Sequence, residues 1–364
     1  MQQHQNPATQ PPGTYTLQDM DLLRNFITKT ASSLSEDPAV GQVIATTGVD
    51  IAMKNEFVLH MILCLSALHR CATEPSIRTS EVLSLLEASS HHQNLAMALF
   101  RERVTNVTTE NAEAVFVFTS LTSLSLYSSQ NDRLRLQHGL EVGEKTRLAH
   151  SGWLRTLRGT TSLLGGGGDL SQWLGENSPL LILIPYRGTW NPPISEDNEW
   201  AQAAAVAFQK LSDKCANTSD PREAVFHEAS QHLIPCLAHI TAAQAALSAG
   251  RTTINDEFNN QGRISARPTS YCLTWIFRIS ADFLNALDDA EPAALVVLAH
   301  FGVLLHSLKP DWCLDGLGKA VIEACDEVLQ AVAELGWREW MVWPQQTIRG
   351  IDHERALQGA VTTS

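Results

Sequence analysis

From Thr16 to Pro344, apolar residues return at three- and four-residue intervals, and no run alternates strictly between polar and apolar. That regularity excludes most sheet folds, because a half-buried strand requires a period of two and a helix face a period of 3.6. The stretch Ile51–Ala72 places Phe57, Val58, Met61, Ile62, Leu65 and Leu68 on one broad apolar face. Glu81–Val104 repeats the pattern, and Ala112–Ser128 is apolar almost all round, which marks a helix buried on every side. Thr16 followed by Asp19 has the form of a capping box ahead of a helix over Met20–Thr30. Further on, the spacing predicts helices over Glu199–Lys214, Tyr271–Leu287, Pro292–Leu308 and Leu317–Glu334. Pro221 at a first helical position and Glu223 two residues on open another, Arg222–Ala249, which stops at Gly250. The pattern breaks at the four glycines Gly165–Gly168 and again around Pro179, Pro185, Pro192 and Pro193, where loop or short extended chain is expected. The fold class read from this is all-α: a single helical bundle, flanked by a disordered arm over 1–13 and a flexible tail over 351–364.

At 364 residues a helical body buries a large core without metals or disulfides. The net charge of -13 repels phosphate backbones, so direct nucleic-acid binding is not expected. The seven cysteines form no C-x-x-C pair and fall mostly inside apolar helical runs, the pattern of free thiols in a reducing, cytoplasmic compartment. Met1–Gly13 is rich in Gln and Pro and lacks the apolar segment of a signal peptide. Ala293–Leu305 is too short to span a bilayer, so no membrane span is expected.

Thirteen histidines invite a metal site, and the spacings argue against one. His227 and His232 are five residues apart where a helical zinc motif needs four. His232 and His239 lie roughly 10 Å apart along a helix, too far to share an ion. His60 and His69, nine residues apart, face opposite sides of theirs. Gly165–Gly168 is followed by Asp169 rather than the Lys-Ser/Thr of a phosphate loop, and no nucleophile elbow occurs. The expectation is therefore no metal and no cofactor. What remains is a group of polar and aromatic residues embedded in apolar helices, each of which is also readable as a satisfied core residue. Several lie on two adjacent carboxy-terminal helices, where they would line an internal apolar ligand pocket with a few polar groups.

Several segments, in order along the chain, carry a resemblance. Phe57 to His69, with His60 and Ser66 between, resembles the "F-L-x-H-x-x-L-A-L-S-A-x-H" helix of fungal zinc-cluster transcription factors. His91–Arg101 and Thr109–Phe116 are similar to the two helices that follow there, and Trp153–Gly159 to a "W-x-x-x-x-R-G" segment. Pro292–His306 and Trp340–Pro344 are similar to that group's late helix and closing Trp-Pro. More specifically, the chain resembles the carboxy-terminal ligand-binding domain of the sterol uptake control group, over about residues 14–350. The resemblance implies a helical body with a deep apolar pocket for a sterol, and homodimerisation. It also implies a six-cysteine zinc cluster ahead of the domain; this chain starts at the domain, so a stand-alone form is expected. By the same resemblance, stand-alone relatives from fungal secondary metabolism act as cofactor-free pericyclases, joining a tropolone quinone methide to a humulene-type sesquiterpene by a hetero-Diels–Alder reaction. On that reading the catalytic candidates are His300, His306, Tyr186 and Arg155, which would assist loss of water and polarise an enone. Tyr271, Trp275, Phe301, Leu304 and Trp312 would form the substrate-binding wall, and orientation in the pocket would supply much of the barrier reduction. The alternative is a non-catalytic sensor of a sterol or other terpenoid, lacking its DNA-binding module and located in the nucleus.

Overall fold

The computed structural model describes residues 15–35, 37–74, 79–136, 146–162, 174–175, 177–183, 192–217, 222–251, 253–255, 263–265, 268–308, 312–332 and 335–362. Tyr186, the arm over 1–13 and the four-glycine run lie outside them.

The first helix, α1 (Leu17–Asn25), opens with the expected capping box: the Asp19 amide donates to Thr16 Oγ1, and the Thr16 amide donates to Asp19 Oδ2 at 2.7 Å. It passes into a π-helical turn, Phe26–Thr30, and a final turn, Ala31–Ser33. Asp37 caps α2 (Pro38–Val43), with Pro38 at the helix start where its missing N–H is of no consequence. The run read as one helix from Ile51 is two: α3 (Val49–Ala52) and α4 (Glu56–Thr73), parted by a turn at Met53 and Lys54 and restarted from Asn55 in extended backbone. α4 is the axle of the amino-terminal half. Every residue from Phe57 to His69 is buried, with α5 (Thr79–Arg103) and α6 (Ala112–Leu136) packed along it. Phe57, Phe100 and Phe118 lock the three together, with Phe100 stacked on Phe118 at 4.3 Å between centroids.

The carboxy-terminal half begins after α7 (Gly152–Ser162) with α8 (Glu199–Cys215). The helix expected over Arg222–Ala249 is likewise two, α9 (Glu223–Gln231) and α10 (Leu233–Ser248). Pro235 explains the break, because it has no N–H to return to the preceding turn. Gly250, at φ 72°, closes α10 in the left-handed conformation. The polar stretch after it contains a feature not expected from sequence, a short antiparallel hairpin of β1 (Thr253–Asn255) and β2 (Arg263–Ser265) with Ile254 opposite Ile264. Tyr271–Leu287 also divides, into α11 (Pro268–Arg278) and α12 (Ala281–Asp288), where Ser280 Oγ accepts from the Phe283 amide and starts a new helix.

α13 (Pro292–Ser307) is the second axle, buried from Pro292 through His306. α14 (Leu317–Ala331) crosses it so closely that Gly302 and Gly318 meet backbone to backbone. The chain ends in α15 (Val342–Thr362), so the residues from 351 expected as a flexible tail are helical as far as Thr362. Their order has a cause. Arg355 Nη2 donates to the carbonyls of His306 and Leu308, two of the groups that the end of α13 leaves without helical partners. The two halves share one apolar core, and Trp312 Nε1, after α13, donates to Ser33 Oγ near the chain's start. Among the described residues no single helix is long and apolar enough to cross a membrane.

Candidate functional site

Of the residues singled out from sequence, His300, Phe301, Leu304 and His306 lie on α13, and the other described ones come from other elements. His300 donates from Nδ1 to the Val296 carbonyl at 2.8 Å and stacks on Trp343 at 5.3 Å, with Phe208 edge-on. Burial lowers its pKa from 6.5 to about 4, so the ring is neutral. His306, two turns along, pairs through Nε2 with Asp352 Oδ1 at 2.8 Å. Burial also pulls the His306 pKa down, against the opposing pull of Asp352. The neutral ring then donates Nε2–H to the carboxylate.

Trp275, Phe301 and Leu304 are completely buried. Trp275 stacks on Phe301 at 4.2 Å, meets Phe283 edge-on, and donates Nε1–H to the Ala229 carbonyl. This is the geometry of a core tryptophan whose polar handle is satisfied. Tyr271 is buried and stacks on His239 at 5.1 Å. Trp312 touches His69 edge-on at 4.9 Å besides bonding to Ser33. Arg155 lies apart from all of these. Its guanidinium donates to Ser151, Asn285 and Asp288, which ties α7 to the end of α12. The catalytic candidates are thus not gathered around one point: His300, His306 and Arg155 each hold a separate joint of the fold.

Two features stand out that sequence reasoning passed over. One is a buried polar chain on the amino-terminal axle. Asp19 Oδ1 accepts from His92 Nε2 at 3.0 Å, and the Nδ1 atoms of His92 and His60 are 3.0 Å apart. With Asp19 ionised, His92 donates from Nε2 and accepts at Nδ1, so His60 carries its proton on Nδ1. Burial raises the Asp19 pKa, but the hydrogen bonds from Thr16 and the pairing with His92 outweigh it and bring the pKa down. For His60 the fall is to about 4, from burial first and the neighbouring His92 second. In parallel, His69 Nδ1 meets Thr30 Oγ1 at 3.0 Å, while Asn25 bonds Thr30 and Ser66. The second feature is on α6. Its buried Thr119, Thr122, Ser123 and Ser125 hydroxyls all return to carbonyls of the preceding turn. The hydroxyls of Tyr127 and Ser128, equally buried, have no hydrogen-bond partner among the described residues.

At the surface, a cleft of about 470 Å³ opens between α14 and α15, lined by Lys319, Glu323, Glu327, Arg349 and Asp352 among others. Among the described residues no group of three or more His, Cys, Asp or Glu side chains is placed to hold a metal ion. All seven cysteines are free thiols.

Residues 21–164, from α1 through α7, match the family model described as the fungal specific transcription factor domain. Over those residues the chain is similar to the fungal specific transcription factor domain. The match embraces the α4 axle with His60 and His92, while Asp19 lies just ahead of it, and it includes Tyr127 and Ser128. No curated protein matches the chain.

Proposed function

We propose that this chain is a regulatory domain of the fungal transcription-factor type that responds to an apolar small molecule of the sterol or terpenoid class. The observation that carries the proposal is the match of residues 21–164 to the fungal specific transcription factor domain. The condition of the catalytic candidates supports it. Proton transfer to or from a reactant needs a side chain within hydrogen-bond reach of that reactant. His306 and Arg155 instead spend their polar atoms on Asp352, Ser151, Asn285 and Asp288. The His300 ring is packed between Trp343 and Phe208. A domain of this kind acts by shifting helix packing when a ligand enters, and a DNA-binding partner or segment reads the shift.

The deciding experiment also tests the reading of the same fold as a cofactor-free pericyclase, which joins a tropolone quinone methide to a humulene-type sesquiterpene. Purified protein is incubated with a small-molecule extract of cells that lack it, and both solution and recovered protein are examined by mass spectrometry. The expected result is an unchanged terpenoid or sterol bound to the protein. A new product that depends on native protein would overturn the regulatory reading and establish the enzyme. Neither bound molecule nor product would remove the apolar ligand from the proposal.

A further inference from the structure

We infer that the Asp19–His92–His60 chain is a proton-operated latch, which holds the start of α1 against α4 and α5 and releases it when both rings take up a proton. The three residues come from three elements, and none is more than 8 % exposed. His92 on α5 donates Nε2–H to Asp19 Oδ1 on α1 at 3.0 Å. His60 on α4 donates Nδ1–H to His92 Nδ1, also at 3.0 Å, and the two rings stack at 25°. Tyr15, just ahead of α1, covers His60 with its ring at 5.7 Å. Asp19 is at the same time the second half of the capping box with Thr16. One carboxylate therefore serves both the latch and the first turn of the helix. Beneath it, Leu22 and Phe26 are completely buried, so release of α1 would uncover an apolar face.

Two nitrogens 3.0 Å apart have room for one proton between them. The neutral chain already holds it, on His60. A further proton on His60 Nε2 leaves that hydrogen bond in place, although it buries a charge. Another on His92 Nδ1 sets two N–H groups against each other with no acceptor between them. Once α1 and Tyr15 move away, both rings reach water, can turn apart, and take up protons near 6.5. In the closed state burial lowers His92, against the pull of Asp19, and burial followed by His92 brings His60 to about 4. Opening thus takes up two protons in the window below 6.5 and none above it. The other groups that face the rings have roles of their own. Glu56 on α4 is paired with Arg103 of α5 at 2.7 Å, and His91 is exposed with α1 in place. Asp21, the other tie of α1, bonds Arg70 of α4 at 2.7 Å, and Arg24 and Arg70 hold its carboxyl below the usual range. That tie keeps its charges throughout the window, so it adds nothing to the pH dependence.

The test is native-state hydrogen exchange on the full chain from pH 7.5 to pH 4.5, corrected for the intrinsic exchange rate, with the amides of Met20–Asn25 compared with those of α13. The opening constant of α1 should be level above pH 7 and rise by close to 100-fold per pH unit on approaching pH 5, tenfold for each proton. α1 should open while α13 stays protected. His60→Gln and His92→Gln keep a donor and an acceptor but no titration, and each should cut the rise to about tenfold per unit. A level α1 opening constant in the wild type, or α1 opening only together with α13, would overturn the latch. So would a rise that stays near 100-fold in both variants. Should either variant fail to fold, the wild-type rings followed by NMR decide: they are expected to stay neutral until α1 opens and to titrate with it, and titration with α1 still protected would overturn the latch.

Discussion

At the scale of single residues, the histidines set how this protein responds to acid. Burial takes His60, His69 and His300 from 6.5 to about 4. The folded state thus holds them neutral, while the unfolded chain accepts protons as soon as the pH drops below 6.5. Their contribution to stability is complete above that value and is lost as the pH falls toward the folded values near 4. Asp19, whose pKa is lowered, works in the same direction at still lower pH. Thermal denaturation followed from pH 8 to pH 4 should show a level Tm above pH 7 and a steady decline below 6.5. A Tm that stays level down to pH 4 would mean that these rings are solvated and that their burial is misjudged. Trp275 makes a second test. It is fully buried, stacked and hydrogen-bonded, so Trp275→Ala should destabilise by about 3–5 kcal/mol in chemical denaturation, and a loss under about 1 kcal/mol would remove it from the core.

At the scale of elements, the crossing of α13 and α14 rests on the smallest residues, Gly302 and Gly318. A Cβ on Gly318 would run into the Gly302 carbonyl and the backbone of His306, and backbone cannot turn aside as a side chain can. Gly318→Ala should therefore push α14 off α13 and destabilise by roughly 3 kcal/mol, with Gly302→Ala milder because its nearest obstacle is the Ile322 side chain. Equal, small effects would show that the crossing is looser than drawn. The turn between α12 and α13 carries the opposite opportunity. Ala290 sits at φ 55°, and the Glu291 amide reaches back to the Ala286 carbonyl in the closing pattern that normally has glycine there. Ala290→Gly should raise stability by about 1 kcal/mol, and any loss would show that the methyl group packs usefully.

Helix existence was legible at this scale, helix continuity was not. The periodicity of Ile51–Ala72, Arg222–Ala249 and Tyr271–Leu287 is unbroken in the apolar pattern, so each reads as one helix. The breaks come from local chemistry of another kind: a turn before Asn55, Pro235 without its N–H, and Ser280 as a new cap. A Pro near a helix start is tolerated and a Pro in its middle is not, so the letter alone does not say which.

At the scale of the whole molecule, the carboxy-terminal helix closes the fold. Arg355 and Asp352 bind the end of α13 through the His306 and Leu308 carbonyls and the His306 ring. Truncation after Gly350 should lower Tm by several degrees and speed amide exchange in the last turn of α13; unchanged exchange there would make α15 a passenger beyond that point. The candidate site shows what a pattern carries and what it does not. That α13 is buried, and that His300 and His306 lie inside it, follows from the thirteen other residues of Pro292–His306, none of them charged or polar in its side chain. Which partners those rings meet depends on Trp343, Phe208 and Asp352, which arrive from elements far along the chain. Arg155 sits within a Trp-Leu-Arg segment that reads as part of a pocket, yet its charge is used on Asp288, 133 residues away.

Taken alone, the order of residues determined that this chain is helical and which faces of its helices are apolar. Those properties are local, set by a 3.6-residue period and by caps within a few positions. Tertiary structure decided the rest: that Asp19, His92 and His60 form one chain, that α13 is capped by Arg355, and that the Tyr127 and Ser128 hydroxyls stand buried with no partner among the described residues. Each of these depends on which distant groups arrive beside a side chain, and a period along the sequence holds no record of that.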